Sequence, residues 1–278
     1  MLKQRVITAL VLLAVLLPAL FYPSPTPFCF FALVLIAAGG WEWGRLNGVG
    51  QTTSLGIAAL CVALCGVAWA SGWLVRPLPW VWAVAGAAWV IGGGSMLARG
   101  VSGWAGLPKL LRLLAGVAVL FVAWLAIAQA RVMGIEFLLS VMMLVWVADI
   151  GAYFAGRRFG GRFSTRKLAP SISPGKSWEG VWGGMFCVLV MAAVWVRFDP
   201  AGWTLFQRLY QQHGLALMAL AVVFLVAMSV VGDLIESLIK RSAGAKDSSG
   251  LLPGHGGVLD RLEALLPTLP LALMLLSF

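Results

Sequence analysis

The sequence predicts an all-α, polytopic integral membrane protein of about nine transmembrane helices, with its N-terminus on the cytoplasmic side. Three observations predict it. Of the 278 residues, 61% are hydrophobic and 11% charged, against roughly 45–50% and about 25% in soluble domains. The apolar residues fall in runs long enough to cross a bilayer, and the basic residues fall mainly in alternate connections between those runs. Lipid must then be the solvent for most of the surface, which leaves helices or a closed barrel as spanning structures. The same composition excludes disorder, collagen and a disulfide scaffold.

A span needs about 20 mainly apolar residues. The segments are 6–22, 28–44, 55–75, 78–98, 111–130, 135–156, 179–196, 215–240 and 262–278, of which the second and ninth are short. Lys3 and Arg5 before the first run resemble a signal peptide. The bulky Leu20-Phe21-Tyr22-Pro23 offers no small-residue cleavage site, so this run reads as a membrane helix. With the N-terminus inside, only Arg76, Arg131, Arg197 and Arg208 of the 20 Lys and Arg fall outside. That is the positive-inside bias. It places the C-terminus outside and the polar stretches 157–178 and 241–261 in the cytoplasm. Residues 1–130 read as an N-terminal group of helices for packing, lipid contact and dimer contact. Residues 131–278 read as the region that carries the chemistry.

The net charge of +10 is explained by cytoplasmic loops facing anionic head groups. No basic run interleaves with aromatics in a soluble domain, so nucleic acid is excluded as a partner. Cys29, Cys61, Cys65 and Cys187 lie in apolar stretches without a Cys-x-x-Cys pair, so neither zinc nor a disulfide framework is indicated.

Of the ten acidic residues, Asp199 and Glu136 read as solvated charges and Glu42, between Trp41 and Trp43, as part of an interfacial anchor. The other seven sit at the cytoplasmic ends of the last spans or in the two polar loops. An ionisable group in a span costs about 2.5–3.5 kcal/mol and is a functional hypothesis by default. Asp149 and Asp233 lie at the ends of apolar runs. Asp233, Glu236, Ser237, Lys240 and Arg241 recur at helical spacing and share one face.

The loop that follows carries Lys246, Asp247, His255, Gly256, Gly257, Asp260, Arg261 and Glu263. Its glycines let backbone approach a ligand and offer N–H groups to an anion. The earlier loop holds Arg157, Arg158, Arg162, Arg166, Lys167, Ser171, Ser173, Lys176 and Ser177 before a helix start, a cradle for polyphosphate. Its Gly175-Lys176-Ser177 is not a Walker A motif, because Pro170 stands where the first glycine must be. Cations for phosphates beside carboxylates for a hard divalent ion point to phosphoryl or nucleotidyl transfer at the membrane surface.

At these residues the chain resembles the phosphatidate cytidylyltransferases, or CDP-diacylglycerol synthases. Ser237, Lys240, Arg241, Lys246, Asp247, Ser249, Leu252, Pro253, His255, Gly256, Gly257, Asp260 and Arg261 stand in register with that family's pattern. Its closing Asp is replaced by Glu263. Ala148-Asp149-Ile150-Gly151-Ala152-Tyr153 and Ser173-Pro174-Gly175-Lys176-Ser177-Trp178-Glu179-Gly180 also resemble it. The resemblance implies transfer of CMP from CTP to phosphatidate, giving CDP-diacylglycerol and pyrophosphate. It further implies Mg²⁺, a second cation (K⁺ or another divalent ion), a helical homodimer among membrane lipids, and a bacterial inner membrane with the site facing the cytoplasm.

On this reading Asp233 and Asp260 bind metal where two helix ends meet, with Asp149, Asp247, Glu236 and Glu263 as further ligand candidates. Lys176, Lys240, Arg241, Lys246 and Arg261 hold phosphates, and Ser171, Ser173 and Ser177 add hydrogen bonds. Gly256 and Gly257 admit the nucleotide. His255 is either a general base or the residue that orients the glycine turn; His213 is a solvated ring in an outside loop. Two rivals remain: a cation- or proton-coupled transporter using Asp149 and Asp233, and a CTP-dependent polyprenol or lipid kinase. No internal repeat supports the first; product analysis separates the second.

Overall fold

A computed structural model describes residues 2–278. The helices are α1 (Leu2–Phe21), α2 (Thr26–Leu46), α3 (Gln51–Ala70), α4 (Pro79–Ala87), α5 (Gly94–Ala105), α6 (Lys109–Met133), α7 (Ile135–Phe159), α8 (Trp178–Phe198), α9 (Leu205–Ser242), α10 (Leu259–Leu262) and α11 (Leu265–Leu276). A π-helical turn, Ala88–Gly93, joins α4 to α5. Among the described residues there is no strand, and 8 helical stretches are long and apolar enough to cross a membrane, with α4 to α5 counted as one. The chain is an all-α, polytopic membrane protein.

In lipid, burial of apolar surface gives helices no reason to associate, so close packing of small residues takes over. The α7–α8 contact illustrates this. A Cβ on Gly184 would lie 2.7 Å from the Ala148 carbonyl oxygen, and one on Gly180 would lie 2.9 Å from that of Ala152. Only hydrogen at these positions lets the backbones meet. Gly134 alone joins α6 to α7, at φ 145° and ψ 152°. This sharp connection makes the two helices neighbours. Packing joins the two sides of residue 130: α11 lies on α4 and α6, and α5 on α9.

Three expectations change. The ninth segment, 262–278, is realised as the 12-residue α11. At 1.5 Å per residue it is about 18 Å long, short of the ~30 Å hydrocarbon core. Its residues Leu265–Leu273 are buried inside the bundle. The eighth span continues back to Leu205 in helical form, broken at Gly214 (φ 76°), so His213 and Arg208 sit on helix and not in a loop. Asp199 is buried, not solvated. Its carboxylate accepts from Trp203 N (3.2 Å), Thr204 N (2.8 Å) and Thr204 Oγ1 (2.7 Å). Thr204 then caps α9. Arg131 is buried too, donating to the Leu20 and Tyr22 carbonyls at 3.0 and 2.6 Å. These two bonds to carbonyls stitch the end of α6 to the α1–α2 turn.

Burial alone would raise the Asp199 carboxyl, but the hydrogen bonds from Thr204, Trp203 and Gly202 outweigh it and hold it below the usual carboxylate range. Its contribution to stability is therefore full at neutral pH and fades as pH falls through that lowered value. Asp199→Ala should lose about 1–3 kcal/mol in reversible unfolding at pH 7, and the gap to wild type should shrink on acidification.

Candidate active site

Two polar centres lie at the ends of α7 and α9 and in the loops beyond them. The first is an open cleft of about 430 Å³. Asp149, Tyr153 and Arg157 reach it from α7, Gly175, Lys176 and Ser177 from the loop before α8, and Asp233 from α9. The Lys176 ammonium pairs with Asp233 across it. Ser237, one turn on, donates to Asp233 Oδ1 at 3.4 Å. Ser177 is the N-cap of α8, accepting from Gly180 N at 3.2 Å. Helix N-terminal N–H groups thus stand beside a cation and two carboxylates, a setting that suits anionic oxygen.

The middle loop owes its shape to local bonds. Ala169 O accepts from Ile172 N and Ser173 N, and Lys176 N donates to Ser173 O, which curls 169–176 into successive turns. The buried Glu179 accepts from Phe163 N (3.0 Å) and Ser164 N (2.8 Å), fixing where the loop leaves α7. Ser171 points to solvent and Ser173 is half-buried.

The second centre is buried and surrounds Lys240. Its ammonium pairs with Glu236 on the same helix, with Asp260 Oδ1 at 2.6 Å and with Glu263 at 3.8 Å. Asp260 Oδ2 accepts from Ser248 N (2.9 Å), Ser248 Oγ (2.9 Å) and Gly257 N (2.7 Å). Burial would raise the Asp260 carboxyl, but Lys240 and these backbone donors hold it below its ordinary value. The close N–H approach needs the loop to turn sharply, and Gly256 does so at φ 82°. Arg241 joins the loops, its donors reaching the Ile172 carbonyl at 3.4 Å and the Ala245 carbonyl at 3.3 Å. Lys246, Asp247 and Arg261 are exposed around the rim. His255 is half-buried, and its Nδ1 is enclosed without a hydrogen-bond partner.

The structure therefore brings Asp149, Asp233, Lys176 and Ser177 together in the cleft, and Glu236, Lys240, Asp260 and Glu263 in the buried cluster, so that Asp233 and Asp260, expected at one centre, stand in two, and Lys240, expected on phosphate, is enclosed by carboxylates. The packing of α9 on the 263–267 segment links the two. A Cβ on Gly232, the neighbour of Asp233, would overlap the Glu263 carbonyl and the Pro267 ring.

Glu42 is a further residue that sequence reasoning placed wrongly. It is not an interfacial anchor but is wholly buried under the C-terminal loop. Its carboxylate accepts from Val258 N and Leu259 N at 2.8 Å each, and from the hydroxyls of Ser248 and Ser249. An acid flanked by tryptophans in a short apolar segment carried the only signal, and that signal also describes a head-group anchor.

The sequence matches the Cytidylyltransferase family over residues 3–278. The chain belongs to this family. It is 41% identical over 285 residues to the phosphatidate cytidylyltransferase of Pseudomonas aeruginosa, covering 99% of this chain and 97% of the relative. It is 38% identical over 295 residues to the Haemophilus influenzae phosphatidate cytidylyltransferase, covering 97% and 96%. The Staphylococcus saprophyticus phosphatidate cytidylyltransferase is 36% identical over 166 residues, 59% of this chain and 57% of the relative. In a cytidylyltransferase the nucleotide's phosphates and the acceptor must meet, and the cleft at Lys176 and Asp233 has the charges for that.

Carboxylates outnumber cations in the buried centre, whereas in the cleft Asp149 and Asp233 are matched by Lys176 and Arg157. Lys240 faces three acids, and Glu236 Oε1 is buried without a hydrogen-bond partner. Such a surplus fits a divalent cation. Among the described residues no three acidic, His or Cys side chains form a ready metal cage. Removing one partner from a buried ion cluster costs about 3–5 kcal/mol. Lys240→Met should accordingly lower unfolding stability by that order, a larger loss than truncation of the exposed Lys246, measured side by side in detergent.

Proposed function

We propose that this cytidylyltransferase transfers CMP from CTP to phosphatidate, yielding CDP-diacylglycerol and pyrophosphate. The observation that carries the reading is the cleft in which Lys176 and Asp233 meet beside Asp149 and the α8 N-terminus, in a chain that aligns along almost its whole length with relatives named for that reaction. The excess of basic residues in alternate connections supports a site on the cytoplasmic face of a bacterial inner membrane. The same reading includes a homodimer among membrane lipids.

The phosphate of phosphatidate is already ionised near neutral pH, so its oxygen needs little help from a base. It attacks the α-phosphorus of CTP, the new P–O bond forms, and pyrophosphate leaves with the electrons of the broken P–O bond. Catalysis then consists of positioning and charge neutralisation. Lys176 and the α8 N-terminal N–H groups hold phosphate oxygens, and Ser177 keeps that helix start in shape. Arg157, at the α7 edge of the cleft, meets the lipid phosphate. Exposed Lys246 and Arg261 neutralise the pyrophosphate end, and Arg241 keeps the two loops in register.

Asp233 and Asp260 are the acids we assign to Mg²⁺, with Asp149 beside the first and Glu236, Glu263 and Asp247 around the second. Each of the two already faces a lysine ammonium, which marks a position that requires positive charge. When bound, the ion supplies Lewis-acid polarisation of phosphoryl oxygens. A second cation would find its place in the remaining surplus of carboxylates. The Lys240 ammonium keeps Asp260 ionised and fixed.

The test is purified protein in detergent with labelled CTP and phosphatidate, with and without Mg²⁺. CDP-lipid and pyrophosphate are the expected products. CDP with a phosphorylated lipid would instead indicate a kinase, and solute flux in proteoliposomes without CTP a transporter. Asp233→Asn should lower Mg²⁺-dependent turnover at least 100-fold while thermal unfolding stays near wild type. Full turnover in that variant would overturn its metal role.

A further inference from the structure

We infer that Glu42, on α2 in the N-terminal half, is a positioning residue for the reaction, clamping both ends of the 248–259 loop at once. The inference rests on the proposed cytidylyl transfer. Glu42 is 0% exposed, and among the described residues no basic side chain pairs with it. A buried carboxylate without a cation is expensive and survives only when its oxygens are fully hydrogen-bonded. Here four donors meet it. Val258 N and Leu259 N each lie 2.8 Å away at one end of the loop, and the Ser248 and Ser249 hydroxyls reach it at the other. An ionised carboxylate is the side chain that accepts four hydrogen bonds without offering a donor.

A helix cap alone does not explain this arrangement. Caps are normally local serine, threonine or aspartate residues, whereas Glu42 is 216 residues from Val258. It also reaches past the helix start to the serines. Ser248 Oγ stands 3.1 Å from Glu42 and 2.9 Å from Asp260 Oδ2, its single proton shared between them. Glu42 therefore sets the position of the backbone that delivers Asp260 to Lys240. Gly257 leaves no room for error, since a Cβ there would overlap Ser248 Oγ and the Glu42 carboxylate.

The experiment compares wild type, Glu42→Gln, Glu42→Asp and Ser249→Ala as full-length protein in detergent. Glu42→Gln keeps the volume but turns an NH₂ group toward N–H and O–H donors. It should raise amide exchange across 257–259 at least tenfold. It should lower kcat at least tenfold and raise the Mg²⁺ concentration for half-maximal activity at least threefold, while the KM for phosphatidate stays within twofold. Glu42→Asp, which keeps the charge, should recover part of the rate. Ser249→Ala should show a smaller loss of the same pattern and serves if Glu42→Gln does not fold. Unchanged exchange, turnover within twofold of wild type, or a loss that merely tracks the unfolded fraction would overturn the role. A wild type that makes no CDP-lipid would defeat the reaction assignment alone, because the exchange rates judge the clamp separately.

Discussion

Lys240 is the cation on which the buried cluster depends. Three carboxylates approach its ammonium from α9, α10 and the segment before α11. Without it, their mutual repulsion in a low dielectric would separate those elements or force protons onto the acids. With it, α9 and the chain after the glycine loop become one unit. The same residue leaves negative charge over, and in the proposed reaction that remainder would hold the metal ion.

The two polar loops behave as a linked pair. Glu179 ties the middle loop to α8, Arg241 ties it to α9, and Asp260 ties the later loop to Lys240. Thr8 of α1 donates to the Pro253 carbonyl at 3.0 Å. Long loops in compact proteins are often mobile, but these spend their backbone and side-chain donors on neighbours. The cleft is consequently walled by fixed backbone, which suits a reaction in which positioning carries most of the effect.

Much of the fold was legible in the sequence because lipid imposes simple rules. Apolar length located α1 to α4 and α6 to α9 but not α5, and charge asymmetry gathered the polar loops. The face shared by Asp233, Glu236 and Lys240 was legible because helical spacing is local. What was not legible depended on contacts between distant segments. Glu42 looked like an anchor because its partners lie more than 200 residues away. Asp199 looked solvated because its donors, Trp203 and Thr204, come from a turn that composition does not reveal. The partition of the acids between an open cleft and a buried cluster required the lysines to be placed, and spacing gave no sign of which acid each would meet.

The short helix α11 has a consequence for biogenesis. Its leucines are enclosed by α4, α6, α7 and α9, all of which precede it in the chain and leave the ribosome first. Those earlier helices must therefore enter the bilayer and either hold a vacancy for a latecomer or loosen to admit one. Until the newcomer is seated, the slot between them exposes surface shaped for protein and not for lipid.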